Sequence, residues 1–376
     1  MNSKKLYILT TIPNSLNFFS GQIKELGQSY DVTLISSFSH KLKDIADEEK
    51  VKYKGISMQR DISPWRDIIS FIKILIFFSF NRPFAIHCNT PKASLLALVV
   101  GYILRIPRRI YYIHGLRYEG AQGKKRKLLK LIEYINCWCA TDIIAVSDGI
   151  KLKVESEIIN KNIKVIFNGS PNGIDVKSFT KYSCNIQKTK RDLEIGENDF
   201  VFGFVGRIVS DKGINELVEA FNSLSQKNIK LILVGRYEHE LDPLKNKTLS
   251  IIKNNPNIIE CGFQRDVKKF LSIMNVFVSP SYREGFGLSV IEANAMGKPA
   301  IVTKITGYEE IIEEGFNGFY VYPRDKADLY DKMSYCIANA SSLQKMSINC
   351  ITKISKNYER NDVQEHAIMH YKNILG

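Results

Sequence analysis

Short apolar runs alternate with longer helix-patterned segments along the whole chain, and no other feature limits the fold as strongly. Runs that are nonpolar on both faces suit strands buried between helices, as in a parallel sheet. The first half carries them at 6–11, 32–36, 84–89, 109–114, 142–147 and 164–167. The second half repeats the rhythm at 200–205, 230–234, 257–260, 275–279, 300–303 and 318–321. This alternation predicts an α/β chain of two doubly wound halves. With 376 residues, each half is long enough to bury its own core. The expected domains are 1–175 and 190–356, with the boundary inside the polar stretch 168–198.

Two strands of the second half lead into loops that carry chemistry. After 200–205 the chain turns at Gly206, passes Arg207, Lys212 and Gly213, and enters a helix near Asn215. Active-site residues of open α/β sheets collect beyond the carboxyl ends of such strands. Arg207 offers a planar fork of N–H groups and Lys212 a compact ammonium, a pair suited to the oxygens of a diphosphate. The strand 275–279 is followed by a loop, 281–287, and by a helix over 288–296. Gly285 and Gly287 let the backbone approach a ligand, and the free N–H groups at a helix start favour an anion. Glu284 precedes that helix, and Glu292 lies just over one turn inside it. The two carboxylates therefore reach different parts of one elongated ligand. A carboxylate can accept from both hydroxyls of a vicinal diol, which suits Glu292 to a ribose and Glu284 to a sugar ring. Singly, the cations could be a solvated turn and the glutamates ordinary surface charges. Their combination is what points to a site.

The residues Gly206-Arg207 with Lys212-Gly213, Glu284 and Glu292 around Gly285-Phe286-Gly287-Leu288, and Gly297-Lys298-Pro299 before a strand resemble the retaining family-4 glycosyltransferases of the GT-B fold. That fold has two doubly wound, Rossmann-like domains facing a central cleft. The resemblance implies that Arg207 and Lys212 bind the donor diphosphate beside Gly206. It also implies that Glu284 contacts the transferred sugar, that Gly285 to Leu288 present backbone amides, and that Glu292 holds the ribose. Gly262, Phe263 and Arg265, which follow a predicted strand, are the candidates near the base. In the first half, the residues from Ile86 to Ala93 and from Ile113 to Tyr118 resemble the bacterial branch that builds capsule and O-antigen repeat units. His114 ends a predicted strand and precedes Gly115, where it could hydrogen-bond the donor sugar. The run 168–175 fits the point where such chains leave the first domain, and the C-terminal helix, 357–376, is expected to pack back on it. One departure is the first loop, 10–21, which lacks the paired glycines of many relatives and carries Asn14, Asn17, Phe18 and Phe19.

The implied reaction is retaining transfer of a hexose or N-acetylhexosamine from a nucleoside-diphosphate sugar to a lipid-linked or oligosaccharide acceptor, in surface polysaccharide synthesis. The branch resembled suggests a uridine diphosphate sugar. The donor is a substrate, and no cofactor is expected. The first half offers no evident carboxylate nucleophile, and same-face attack is the mechanism proposed for relatives. Two alternatives use the same architecture: a nucleotide-sugar 2-epimerase, which lacks the acidic pair at this spacing, and a non-catalytic glycan-binding subunit, against which the intact Arg207, Lys212, Glu284 and Glu292 argue.

No Asp-x-Asp pair occurs in the chain, so a metal-bridged diphosphate has no evident ligands. His366 and His370 stand four apart on an expected helix without a third ligand nearby, which reads as a helix face. Seven cysteines without framework spacing fit a reducing compartment. No signal peptide is visible, and the most apolar stretch, 68–80, contains Lys73 and is too short to span a bilayer. Residues 1–180 carry 27 Lys and Arg against 15 Asp and Glu, while 181–376 carry 26 against 24. The positive surplus thus sits in the half that binds acceptor in GT-B enzymes. Lys124, Lys125, Arg126 and Lys127 open an amphipathic helix suited to an anionic membrane. Nucleic-acid binding is not expected, since no recognition motif or interleaved aromatic platform accompanies the basic run. The expected location is the cytoplasm, peripheral on the inner face of the cytoplasmic membrane.

Overall fold

The computed structural model describes residues 3–59, 63–238, 240 and 242–376. The chain divides into two compact units, Met1–Gly173 with Arg360–Gly376, and Ile174–Glu359. The first two residues of the expected 1–175 domain lie outside the described residues.

The first unit is built on seven parallel strands: β1 (Lys5–Leu9), β2 (Asp31–Ser36), β3 (Lys52–Gly55), β4 (Ala85–Cys88), β5 (Arg108–Ile113), β6 (Asp142–Ala145) and β7 (Ile163–Val165). Their order across the sheet is β3-β2-β1-β4-β5-β6-β7. Between them run α1 (Gln22–Leu26), α2 (His40–Glu49), α3 (Pro64–Phe80), α4 (Pro91–Ile103), α5 (Gly123–Cys139) and α6 (Asp148–Glu157). Strand order reverses between β1 and β4. Right-handed crossovers therefore place α1 and α2 on one face of the sheet and α3 to α6 on the other.

The second unit opens with α7 (Val176–Thr180) and α8 (Ile186–Asp192), two short helices within the expected boundary stretch. Its strands are β8 (Phe200–Val205), β9 (Ile229–Val234), β10 (Ile258–Gly262), β11 (Val276–Ser279), β12 (Ala300–Thr303) and β13 (Gly318–Val321). They pair in the parallel order β10-β9-β8-β11-β12-β13. Helices α9 (Ile214–Ser223), α10 (Asn246–Asn254), α11 (Lys268–Ile273), α12 (Leu288–Ala295), α13 (Lys326–Ala338) and α14 (Ala340–Tyr358) complete it. The last helix, α15 (Arg360–Leu375), belongs to the first unit, where its Tyr371 hydroxyl meets His87 Nε2 at 2.9 Å.

The central strands β4, β11 and β12 are buried at every residue, which is why their unbroken apolar runs stood out in the sequence. The strand that pattern missed, β3, reads Lys-Tyr-Lys-Gly and is mostly exposed at the sheet edge. Lysines on an edge strand discourage pairing with other chains, and they also erase the hydrophobic signal. The first loop is not irregular throughout, because Pro13–Phe19 winds into a 3-10 helix.

Candidate active site

In the second unit the strand order reverses between β8 and β11, the point where open α/β sheets bind ligands beyond their strand ends. Both motif loops start there. Gly206 and Arg207 follow β8, and the loop carrying Glu284 follows β11. The two are locked together: Tyr282 N–H donates to the Asp211 carbonyl at 2.8 Å, and the Arg283 guanidinium meets Asp211 Oδ2 at 2.8 Å.

Lys212 and Glu284 form a half-buried ion pair, with side-chain exposures of 17% and 18%. Glu284 Oε1 also accepts from Ser281 Oγ at 3.1 Å and from the Tyr308 hydroxyl at 3.2 Å. Three donors thus fix one carboxylate oxygen, while Oε2 has no hydrogen-bond partner among the described residues. Tyr308 is itself held by Ser279 Oγ at 2.6 Å. Burial, and then the charge of Glu284, push the Tyr308 phenol well above its ordinary range, so it stays a neutral donor. This arrangement presents Oε2 in a fixed orientation, as a sugar-hydroxyl acceptor requires.

Arg207 is more exposed than Lys212 and is not part of that cluster. Its Nη1 meets Glu238 Oε2 at 2.8 Å, and its Nη2 lies 3.9 Å from Asp211 Oδ1. The sequence reading set Arg207 and Lys212 together as donors to a diphosphate, and here each is also held by an acid. Asp211, Glu238 and Glu284 pair with Arg283, Arg207 and Lys212, and Arg324 lies over the Tyr282 ring at 4.6 Å. With three of these cations matched by acids, oriented N–H groups are the other donors open to an anion.

Those groups lie at the start of α12. The Phe286 and Gly287 amides have no hydrogen-bond partner among the described residues, but the Leu288 amide donates to the Phe286 carbonyl at 3.1 Å. Leu288 thus drops from the expected amide cradle, for its N–H is spent inside the turn. The Phe286 ring is buried edge-on against Tyr358, with centroids 5.5 Å apart, so it anchors the turn and leaves its amide for a ligand.

The Glu292 carboxylate, one turn into α12, has no hydrogen-bond partner among the described residues. Burial raises its carboxyl from the ordinary carboxylate range to about 7, with Lys268 opposing and Asp266 adding to the shift. Those two neighbours belong to the stretch that follows β10, which places that stretch beside Glu292. Gly262, with φ +62° and open space around it, ends β10, and the exposed Phe263 ring carries the Arg236 guanidinium 4.2 Å from its centroid. Arg265 is exposed in the same loop.

A carboxyl whose pKa is raised by folding is penalised above its unfolded pKa, and the penalty is complete above the folded one. For Glu292, stability is lost as pH rises from about 4.5 through about 7. Glu292→Gln is therefore expected to melt several degrees above the wild type at pH 8 and level with it at pH 4. Calorimetric scans of both proteins at the two pH values measure this, and a variant no more stable at pH 8 would show that Glu292 is not held against its charge.

In the first unit, His114 follows β5 directly. Its ring stacks on Tyr112, with centroids 4.5 Å apart and planes 6° from parallel, and on Phe18 at 5.3 Å. Burial lowers its pKa to about 3, so the imidazole is neutral. Its Nε2 is buried without a hydrogen-bond partner. An orphaned buried nitrogen of this kind costs about 1–3 kcal/mol unless a ligand meets it. Phe18 and Phe19 of the unusual first loop are thus aromatic walls of the His114 pocket, with Phe19 buried against His87, Tyr112 and His114.

No group of three or more His, Cys, Asp or Glu is placed to hold a metal ion among the described residues. His366 stacks on Phe167 at 4.3 Å and donates from Nδ1 to the Asp362 carbonyl, 2.8 Å away, as a helix-face residue does. Ser281, Tyr308 and Asp211 had no motif to announce them. The available signal for Tyr308 was its place just after β12, at the same sheet edge as the other site loops.

The family described as glycosyl transferases group 1 matches residues 185–352. The capsular polysaccharide biosynthesis glycosyltransferase CapM of Staphylococcus aureus is 34% identical over 380 residues, covering 100% of this chain and 98% of that protein. A UDP-Gal:alpha-D-GlcNAc-diphosphoundecaprenol alpha-1,3-galactosyltransferase of Escherichia coli is 25% identical over 332 residues, 87% of this chain and 85% of that one. Among solved structures, Anabaena HepE in complex with UDP and glucose superposes with a TM-score of 0.83 at 18% identity, covering 98% of this chain and 100% of HepE. Near-complete coverage at 34% identity, with both parallel sheets matched in structure, establishes that this chain belongs to the group 1 glycosyltransferases and has the GT-B fold of two Rossmann-like domains.

Proposed function

We propose that this protein transfers a sugar, with retention and without a metal ion, from a uridine diphosphate sugar to a polyprenyl-diphosphate-linked saccharide in bacterial capsule or related surface polysaccharide synthesis. The observation that carries the reading is the Glu284 carboxylate, tied through Oε1 to Lys212, Ser281 and Tyr308 at the β8/β11 switch point with Oε2 left for a ligand. The names of the Staphylococcus aureus and Escherichia coli relatives support the pathway class, the UDP donor and the lipid-linked acceptor.

In this reading the diphosphate lies against the Phe286 and Gly287 amides and the Lys212 ammonium, with Arg207 exchanging an acid for a phosphate oxygen. Charge that develops on the leaving diphosphate is met by N–H groups already in place, which is where such groups lower a barrier most. Glu284 Oε2 holds sugar hydroxyls, Glu292 holds the ribose diol, and Phe263 offers a face to the base. The acceptor hydroxyl attacks from the leaving-group side, and its proton passes to a diphosphate oxygen. His114 Nε2 hydrogen-bonds the sugar.

Calorimetric titration with nucleoside diphosphates and their sugars is expected to give the tightest binding for the uridine series. With the matching acceptor, turnover should survive excess chelator, and proton NMR should show an α-linked product from an α-linked donor. A β-linked product, or activity lost to chelator and restored by manganese, would overturn the mechanism proposed. The reading also predicts that Glu292→Ala weakens binding of free uridine diphosphate, whereas Glu284→Ala chiefly harms transfer. Equal losses of nucleotide affinity in both would merge the two roles.

A further inference from the structure

Helix α3 is apolar on the side where a surface helix is ordinarily polar. Ser70, Ile74 and Phe78 face the core, while Trp65, Ile68, Ile69, Ile72, Ile76 and Phe80 lie on the opposite side and are exposed. Trp65 is 82% exposed and Phe80 85%. Single exposed apolar residues need no explanation, but a continuous stripe over four turns does. The stripe does not stand alone. α4 packs between α3 and α5 on the same face of the sheet, and its end contributes the exposed Tyr102 and Ile103. α5 adds Leu128, Leu131, Tyr134 and Trp138, all exposed. Tyr102 and Trp138 touch, with centroids 4.7 Å apart, so the patch continues from one helix to the next.

Its charges decide what covers it. Lys124, Lys125 and Lys127 are exposed at the start of α5 and have no acidic partner among the described residues. Arg66 and Lys73 flank the stripe on α3 and likewise lack one. Arg126 and Lys130, by contrast, are drawn to Glu157 at 4.0 and 2.6 Å. A second copy docked through the same face would bring these like charges together. An anionic surface would neutralise them while burying the stripe. No helix among the described residues is long and apolar enough to cross a membrane. At 17 residues, α3 reaches about 25 Å, short of the ~20 residues a span needs. A helix with a broad apolar face and cationic flanks instead lies in the interface plane.

We propose that α3 and the outer face of α5 form one interfacial docking surface, which inserts the α3 stripe among the acyl chains of an anionic bilayer while the lysines at the start of α5 meet its headgroups. This deepens the reading that the acceptor is lipid-linked. It adds an inserted apolar face to the docking through Lys124, Lys125, Arg126 and Lys127 expected from the sequence. Phe18 and Phe19 of the first loop are engaged around His114 and do not take part.

The chain has two tryptophans, Trp65 and Trp138, and both lie on this surface, so their fluorescence reports it without labels. The full-length protein should bind vesicles of phosphatidylglycerol and phosphatidylcholine with a blue-shifted emission, quenched by lipids brominated on the acyl chain. Salt at ~0.5 M, where screening shortens to about 4 Å, should remove only part of the bound protein. Trp65→Ser, Ile72→Ser and Ile76→Ser together should lower the salt-resistant binding about ten-fold or more while circular dichroism is unchanged. Changing Lys124, Lys125 and Lys127 to Ser should remove the salt-sensitive part. Binding that salt fully reverses with no emission shift would overturn insertion. So would a dimer seen by sedimentation, dissolved by the triple α3 variant, with no shift on vesicles; a second copy would then own the surface. Uridine diphosphate titration of the same samples separates the two readings. Wild-type protein that binds vesicles as described but no uridine nucleotide would sink the donor assignment and leave the membrane surface standing.

Discussion

Lys212→Ala is expected to lower turnover by about a hundred-fold or more, the scale seen when one preorganised donor to developing charge is removed. The structure adds a second consequence. Lys212 is the ionic partner of Glu284, and neither side chain is more than a fifth exposed. Removing one member of such a pair leaves the other charge partly buried and uncompensated, here at a cost of about 2 kcal/mol, below the ~3–5 kcal/mol of a fully buried pair. Lost activity in Lys212→Ala alone would therefore confuse catalysis with folding. The volume-conserving double change Lys212→Met with Glu284→Gln distinguishes them, because it removes both charges and strands neither. Its melting temperature should return close to that of the wild type while transfer stays at least a hundred-fold down. Recovery of activity along with stability would make the pair a structural clasp and remove it from the transition state.

This pairing also marks the limit of the sequence. All the strands but the exposed edge strand β3 were legible from their apolar runs, the central ones because they are buried on both faces, and the loops after β8 and β11 were legible because strand, glycine and charge occur there in an order that chance rarely gives. The partners were not. Nothing local to Ser281 or Tyr308 says that their hydroxyls converge on Glu284, since Tyr308 arrives from the loop after β12, a separate crossover away. Asp211 carried no local signal, yet it is the clasp between the two loops through Tyr282 and Arg283. Leu288 was expected as an open amide from the resemblance, and in the structure its N–H meets the Phe286 carbonyl inside the turn. α3 failed in another way. Its composition was noticed and set aside as too short to span a bilayer, but hydropathy says how much apolar surface a segment has, and only the fold says which side the core leaves bare.

Gly213→Ala is expected to be among the most damaging single methyls in the second unit. Gly213 has φ +71°, a left-handed conformation that costs a non-glycine residue ~1 kcal/mol or more. A Cβ there would also sit 2.0 Å from the Pro280 carbonyl oxygen and 2.7 Å from its carbon. That obstacle is backbone, so it cannot rotate aside. Relief requires the loops after β8 and β11 to part, which draws Lys212 away from Glu284. Strain and lost pairing together should amount to about 4 kcal/mol, or roughly 8–16 °C of melting temperature for a unit of this size. Gly262→Ala provides the comparison, since Gly262 is also left-handed, at φ +62°, but has nothing within 4 Å of the added carbon. It should cost only the conformational term, a drop of about 2–4 °C. Scanning calorimetry of both variants against the wild type measures the difference. Equal and small shifts would mean that the two loops are free to separate, and that the close approach of Gly213 to Pro280 does not hold the Lys212–Glu284 pair in place.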